Sequence, residues 1–164
     1  MRRRRKPKWD PQPTAPAAVL LASDGRKRFS RRAVARAAAL AGSRPVAVLT
    51  IAKIYGTSLG LPNPGLLPTK AEMTERVGWV DDALNRLHAD GVEADGQVAS
   101  ARRAVKTIAR VAHTRKVETV VMDETSANGW RRAVEGDPAA TVARVLRRSG
   151  ISVEIVPAAD RARR

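Results

Sequence analysis

The sequence predicts an α/β fold, a doubly wound five-stranded parallel sheet with helices on both faces. Short runs rich in Val, Leu, Ile and Ala alternate with longer segments of helical periodicity. Most of these runs are continuously apolar, which is typical of strands buried on both faces. A strand–helix–strand order with right-handed crossovers leads to a parallel sheet covered by helices on both sides.

The first two strands and helices follow from apolar runs and from the residues that end them. The run "AAVLLA" at 17–22 ends at a Ser-Asp-Gly turn, and the helix predicted at 30–41 has an Ala-rich face and ends before Gly42. "VAVLTI" at 46–51 is the second buried strand. A Gly- and Pro-rich loop at 52–69 follows, and loops of that length are often functional. The helix at 71–89 has apolar residues at helical spacing, from Val77 to Leu87.

The second half of the chain repeats this alternation. A loosely alternating strand is predicted at 92–99, and a helix at 101–113 with Val105 and Ile108 facing the core. "ETVVM" at 118–122 and "ISVEIV" at 151–156 are the last two strands. The helix between them, at 138–148, is predicted to point Val145 inward with its apolar neighbours.

One domain is predicted at 17–157, flanked by two basic tails. The arm at 1–16 contains a basic run and prolines but no apolar periodicity, so it is expected to be disordered, and a basic tail occupies 158–164. The apolar run at 17–22 is too short for a membrane span and lacks a small-residue cleavage site, so it is interpreted as a strand and not as a signal peptide. Together with the absence of cysteine, this predicts a cytoplasmic protein.

The net charge of +15, with 31 basic and 16 acidic residues, favours a polyanionic partner such as nucleic acid or the ribosome. A high-GC genome is an alternative explanation for the excess of arginine. Three groups of basic residues carry the hypothesis. They are Arg2, Arg3, Arg4, Arg5, Lys6 and Lys8 in the arm, a stripe of Arg102, Arg103, Lys106 and Arg110 on the third helix, and Arg144, Arg147 and Arg148 near the end of the chain.

Four stretches of the chain carry a resemblance to a known family. They are "VLLASDGRKRFSRRAVARAAALA", "VVMD", "EGDPAATVARVL" and "ISVEIVP". In this order, they resemble the universal stress proteins, whose first strand ends in Asp-Gly-Ser; here the turn has one extra residue, and Arg26 stands in place of Ser. The resemblance covers about 17–157. It implies a Rossmann-like fold, a stress-related role and a homodimer formed through the last strand.

The nucleotide motif of that family is degenerate in this chain. Nucleotide-binding members follow the fourth strand with Gly, two residues, Gly, nine residues and Gly-Ser or Gly-Thr. Counting back from Gly136, the other positions fall on Asp123, Ser126 and Asp137. A carboxylate at about 4 Å from a phosphate costs about 1 kcal/mol even in water. ATP is therefore possible but disfavoured, no cofactor is expected, and Asp137 before Pro138 is interpreted as a helix N-cap.

Other readings of the site stay open. The resemblance places Asp24 near the adenosine and Ile51 on the adenine side, although an Asp-Gly turn and a core position explain them equally well. A Mg²⁺ site would need Asp123 and Asp137 with Glu124 or Glu135. Trp130 could stack on a base or pack the loop onto the sheet.

The function predicted from the sequence is that of a non-enzymatic stress-response binding or regulatory protein. No nucleophile elbow is present, and two histidines without cysteine make a poor site for a transition metal, so no catalytic residue and no metal site are assigned. A nucleic-acid- or ribosome-associated protein is the alternative. Mg²⁺-dependent nucleotide binding or hydrolysis is the third hypothesis.

Overall fold

The computed structural model describes residues 13–55, 67–125 and 136–157. Five strands and four helices alternate within them. The strands are β1 Val19–Ser23, β2 Val46–Lys53, β3 Ala94–Ala101, β4 Thr119–Asp123 and β5 Ser152–Val156. The helices are α1 Arg31–Ala41, α2 Lys70–Ala89, α3 Ala104–Thr114 and α4 Pro138–Arg147.

The strands form one parallel sheet in the order β3-β2-β1-β4-β5. Helices α1 and α2 pack on one face, and α3 and α4 pack on the other. The predicted doubly wound α/β fold is therefore confirmed. Since the chain runs outward from β1 in both directions, the switch point lies between β1 and β4, and a crevice opens there at the carboxyl edge of the sheet.

The core has two layers because successive strand residues point to opposite faces. Leu21, Val48 and Val121 are register partners that lie under α1 and α2. Leu20 and Val120 are partners on the other face, under α3 and α4. All five side chains are buried, which explains why these strands are apolar without alternation.

Two predicted boundaries in the middle of the chain are wrong. Strand β3 runs from Ala94 to Ala101, because it pairs with the whole eight-residue length of β2 up to Lys53. Helix α3 therefore begins at Ala104 and not at residue 101. Val92 lies in the turn that follows α2 and not in β3, since its amide donates to the Leu87 carbonyl.

A buried ion pair that the sequence did not predict lies at the amino edge of the sheet. Arg115 follows α3 and is 1% exposed. Its guanidinium donates to both carboxylate oxygens of Asp95 on β3, at 2.8 and 2.6 Å, and its Nε donates to the Ala15 carbonyl. Arg115 thus ties the α3–β4 connection to β3 and to the segment before β1.

Strand β5 pairs only with β4 among the described residues and so forms an edge of the sheet. Arg36 on α1 forms an ion pair with Glu154 on this strand. The hydrogen bond from Arg36 to Glu154 and the negative charge of Glu154 raise the pKa of Arg36 above its ordinary value. The dimer that the resemblance implies through this strand stays a prediction.

Within the described ranges, none of the helices has the length and apolar character needed to cross a bilayer.

Candidate ligand-binding site at the carboxyl edge of the sheet

The turn after β1 is held by two of its own side chains. The Ser23 hydroxyl accepts a hydrogen bond from the Gly25 amide at 3.1 Å and donates to the Lys27 carbonyl at 3.0 Å. The Asp24 carboxylate accepts from the Arg26 amide at 3.1 Å and pairs with the Arg26 Nε at 3.2 Å. Asp24 therefore forms the side-chain turn expected of an Asp-Gly sequence.

Gly25 lets this turn lie directly on the end of β2. Its φ is +88°, and a Cβ at this position would come within 1.8 Å of the Ile51 carbonyl oxygen. Only glycine fits here, because both the backbone conformation and the space exclude a side chain. The Ile51 side chain is fully buried in the core below α3 and α4.

Asp123, at the end of β4, occupies the N-terminus of α1. Its carboxylate accepts hydrogen bonds from the Ser30 amide at 2.9 Å and from the Ser30 hydroxyl. The same hydroxyl accepts from the Ala33 amide at 3.0 Å and so caps the helix. A negative charge is favourable at this end of a helix, so Asp123 stabilises the junction between β4 and α1.

Asp137 occupies the N-terminus of α4 in the same way. Its Oδ1 accepts from the Ala139 and Ala140 amides at 3.1 and 3.3 Å, and from the Thr125 hydroxyl at 3.2 Å. Pro138 follows in the first turn, and Gly136 precedes with a φ of +74°. The predicted N-cap is confirmed: the carboxylate lies on the amides that a phosphate would otherwise meet.

A cavity of about 560 Å³ opens beside these turns, between the N-terminal ends of α3 and α4. One part of its wall is charged. The side chains there are Arg26, Lys53, Arg102, Arg103 and Lys106, with Asp24 as the one acid among the lining residues that the structure describes. The other part is apolar and consists of Ala104, Val105, Ala109, Pro138 and Val145.

Comparison with solved structures identifies the fold around this cavity. A universal stress protein family member from Burkholderia pseudomallei superposes with a TM-score of 0.59 at 20% identity, covering 86% of this chain and 96% of that one. A universal stress protein in complex with cAMP gives 0.61 at 22% identity, covering 87% and 98%. The universal stress protein from Archaeoglobus fulgidus in complex with dAMP gives 0.51 at 17% identity, covering 85% and 95%. This chain has the universal stress protein fold. No family profile and no curated protein matches the sequence.

Within the universal stress protein fold, residues from two separate sequence predictions line the same cavity. Asp24 was assigned to a nucleotide pocket, and the basic stripe was assigned to a polyanion surface. Arg102, Arg103 and Lys106 of that stripe line the cavity with Asp24, whereas Arg110 is exposed and does not.

The shift of α3 explains why they meet. Arg102 and Arg103 precede α3, so they lie at the carboxyl edge of the sheet, and their predicted placement on a face of this helix is wrong. Val145, predicted to point inward, is 42% exposed and lines the cavity. A strand–helix junction always lies at the edge of such a sheet, so a junction predicted two or three residues later would have placed both arginines at this edge.

Several predicted residues lie outside the described part of the universal stress protein fold. They are Ser126, Trp130 and Glu135 in the loop after β4, and the basic residues of the arm, Arg2, Arg3, Arg4, Arg5, Lys6 and Lys8. Among the described residues, no group of three or more His, Asp or Glu side chains is placed to hold a metal ion.

Proposed function

We propose that this chain is a non-enzymatic stress-response binding protein of the universal stress protein family that binds ATP only weakly. The fold supports this proposal, as do the two similar proteins solved with cAMP and dAMP. A cavity opens at the carboxyl edge of the sheet in this chain as well. The N-termini of α1 and α4 beside it, however, already hold the carboxylates of Asp123 and Asp137.

The contacts of Asp137 carry the proposal. In the nucleotide-binding pattern of the family, this position is Ser or Thr, which puts an uncharged hydroxyl beside the first amides of the helix, where an anion can bind. Here the carboxylate accepts from the Ala139 and Ala140 amides. A phosphate at this place would have to displace that carboxylate and then lie beside its charge, which costs several kcal/mol near a protein surface.

The Asp123 carboxylate also disfavours a phosphate in this region. Asp123 stands at the first glycine position of the pattern, and its carboxylate is bonded to Ser30 at the N-terminus of α1. Both helix ends that flank the crevice between β1 and β4 therefore already carry an anion.

A non-enzymatic role is supported by the surroundings of the histidines. His113 is within hydrogen-bonding distance of the Ser149 hydroxyl, at 3.3 Å, but both side chains are exposed. The pair lies where α3 and α4 end, at the amino edge of the sheet, away from the cavity. The His88 ring contacts the Ala94 carbonyl at 3.1 Å, also at that edge.

Titration of ATP into the Asp137→Ser variant tests the proposal. Serine keeps a helix cap, so the fold is preserved while the charge is removed. We expect wild-type ATP binding weaker than about 100 μM and a gain of about tenfold or more in the variant, since that factor needs only about 1.4 kcal/mol. Asp90→Ser is the matched control, because Asp90 is exposed at the far end of α2.

Each titration is repeated with and without Mg²⁺. Micromolar wild-type binding that Asp137→Ser does not tighten would contradict the proposal. If such binding required Mg²⁺, the metal-dependent hypothesis would take its place.

A further inference from the structure

We infer that the cavity binds a small phosphorylated molecule with its phosphate against α3 and β2 and its apolar body against α4. This orientation is the reverse of the one that the nucleotide pattern of the family implies, in which the phosphate lies at the N-terminus of the helix after the fourth strand. This inference rests on the proposed function in one respect, namely that Asp137 closes the α4 end to phosphate. It adds a chemical class of ligand and an orientation.

The charged residues that line the cavity come from the ends of β1 and β2 and from the start of α3, and none of the described ones comes from α4. Lys53 ends β2, Arg102 and Arg103 lie between β3 and α3, and Lys106 is in the first turn of α3. Arg26 joins them from the turn after β1. Asp24, the one acid among the described lining residues, already forms an ion pair with Arg26.

Three of these cations have no competing partner. The side chains of Arg102, Arg103 and Lys106 make no hydrogen bond or ion pair with any residue in the described ranges. Arginine binds phosphate through two parallel N–H donors, and a charge-assisted hydrogen bond of this kind is about twice as strong as a neutral one. Unpaired cations around a concave site raise the local concentration of anions.

The start of α3 adds to this positive potential. Its N-cap residue, Arg103, makes no side-chain capping bond, and no acidic residue lies in the first turn. By contrast, α1, α2 and α4 are capped by Ser30, Thr69 and Asp137.

The α4 side of the cavity suits an apolar group. Helix α4 contributes only Pro138 and Val145 to the described lining, and Val105 and Ala109 of α3 add further apolar surface. Val145 is 42% exposed and lines the cavity, so it leaves apolar surface that a ligand could cover. The volume of about 560 Å³ lies within the range of small-molecule sites, about 300–1,000 Å³.

Calorimetric titration of the full chain with inorganic phosphate and with 1-naphthyl phosphate, at about 50 mM salt, tests both ends of the site. We expect naphthyl phosphate to bind about tenfold more tightly than phosphate, because its ring buries apolar area. Lys106→Gln and Arg103→Gln are expected to weaken both probes by about tenfold. Val145→Asn is expected to remove most of the naphthyl advantage and to leave phosphate binding unchanged.

Arg110→Gln is the matched control. Arg110 lies one turn after Lys106 on the same helix, carries the same charge and is exposed outside the cavity, so its loss should change affinity by less than about twofold. Equal losses in Lys106→Gln and Arg110→Gln would mean a diffuse basic surface and would overturn the inference. So would equal affinities for the two probes, or no binding at low salt.

The two proposals can fail separately. The ATP experiment depends on Asp137, whereas the phosphate probes are used with Asp137 intact. If Asp137→Ser improves ATP binding while Lys106→Gln leaves the phosphate probes unaffected, the reverse orientation is wrong and the proposed function stands. If Lys106→Gln weakens the probes while wild-type ATP binding is tight and independent of Asp137, the orientation stands and the proposed function is wrong.

Discussion

Three aspartates at the carboxyl edge of the sheet each satisfy backbone N–H groups. Asp137 does so within its own helix, and Asp24 within its own turn, so the residues next to them in the sequence were enough to predict both contacts. Asp123 bonds to Ser30, which lies 93 residues away. No local pattern encodes that partner, because it follows from the pairing of β1 with β4.

The Asp123–Ser30 contact predicts strong energetic coupling between the two side chains. Asp123→Ala and Ser30→Ala should each lower the free energy of unfolding by about 1–3 kcal/mol, since each leaves polar groups without partners. The loss of unfolding free energy in the double variant should be smaller than the sum of the two single losses, by about 1 kcal/mol or more. Urea denaturation of the four proteins measures this, with Ser43→Ala as an exposed control at the other end of α1. Additive losses would show that the contact carries no stability.

At the scale of the elements, sequence periodicity placed all nine in the right order, and the errors were at boundaries. Strand β3 was predicted two residues too early because its own residues are only half-buried and give a weak pattern. Its length is set by the neighbouring strand β2 and not by its own composition. Because of this two-residue error, Arg102 and Arg103 were assigned to a helix face, whereas in the structure they line the cavity. The sequence alone therefore did not identify the cavity site.

The ion pair between Arg115 and Asp95 joins three elements, and its loss should be costly although Asp95 is 43% exposed. Asp95→Ala leaves the buried guanidinium without its bidentate partner. We expect the free energy of unfolding to fall by about 1–3 kcal/mol, below the full penalty for a buried pair because Asp95 is partly solvated. Glu93→Ala, two residues away and exposed, should cost less than about 0.5 kcal/mol. Thermal and urea unfolding compare the two; equal losses would contradict the structural role of the pair.

At the scale of the whole molecule, the net charge of +15 is distributed over the arm and the domain. Six of the first eight residues are basic, and these lie outside the described residues. Composition predicts such a property directly, whereas the identity of a partner depends on which cations share a surface. Arg103 and Lys106 both line the cavity, whereas the basic residues of the arm lie outside the described part of the chain.

We therefore expect the chain to bind single-stranded RNA through the arm in a salt-dependent manner. Affinity for poly(U) should fall by about tenfold or more between about 50 and 200 mM salt. Replacing the six basic residues among positions 1–8 with Gln should reduce the slope of log K against log salt. Lys106→Gln should leave that slope nearly unchanged. Fluorescence anisotropy measures both, and no binding at low salt would exclude the nucleic-acid hypothesis.

The cap at α4 has a consequence for how the protein responds to its surroundings. Where the first amides of a helix bind a phosphate, they are satisfied by the ligand only when nucleotide is present. The melting temperature of such a protein therefore rises with nucleotide concentration. Here Asp137 completes the helix permanently. If ATP binds as weakly as proposed, we expect the melting temperature of this protein to change little with ATP concentration, so that its stability would not report the energy state of the cell.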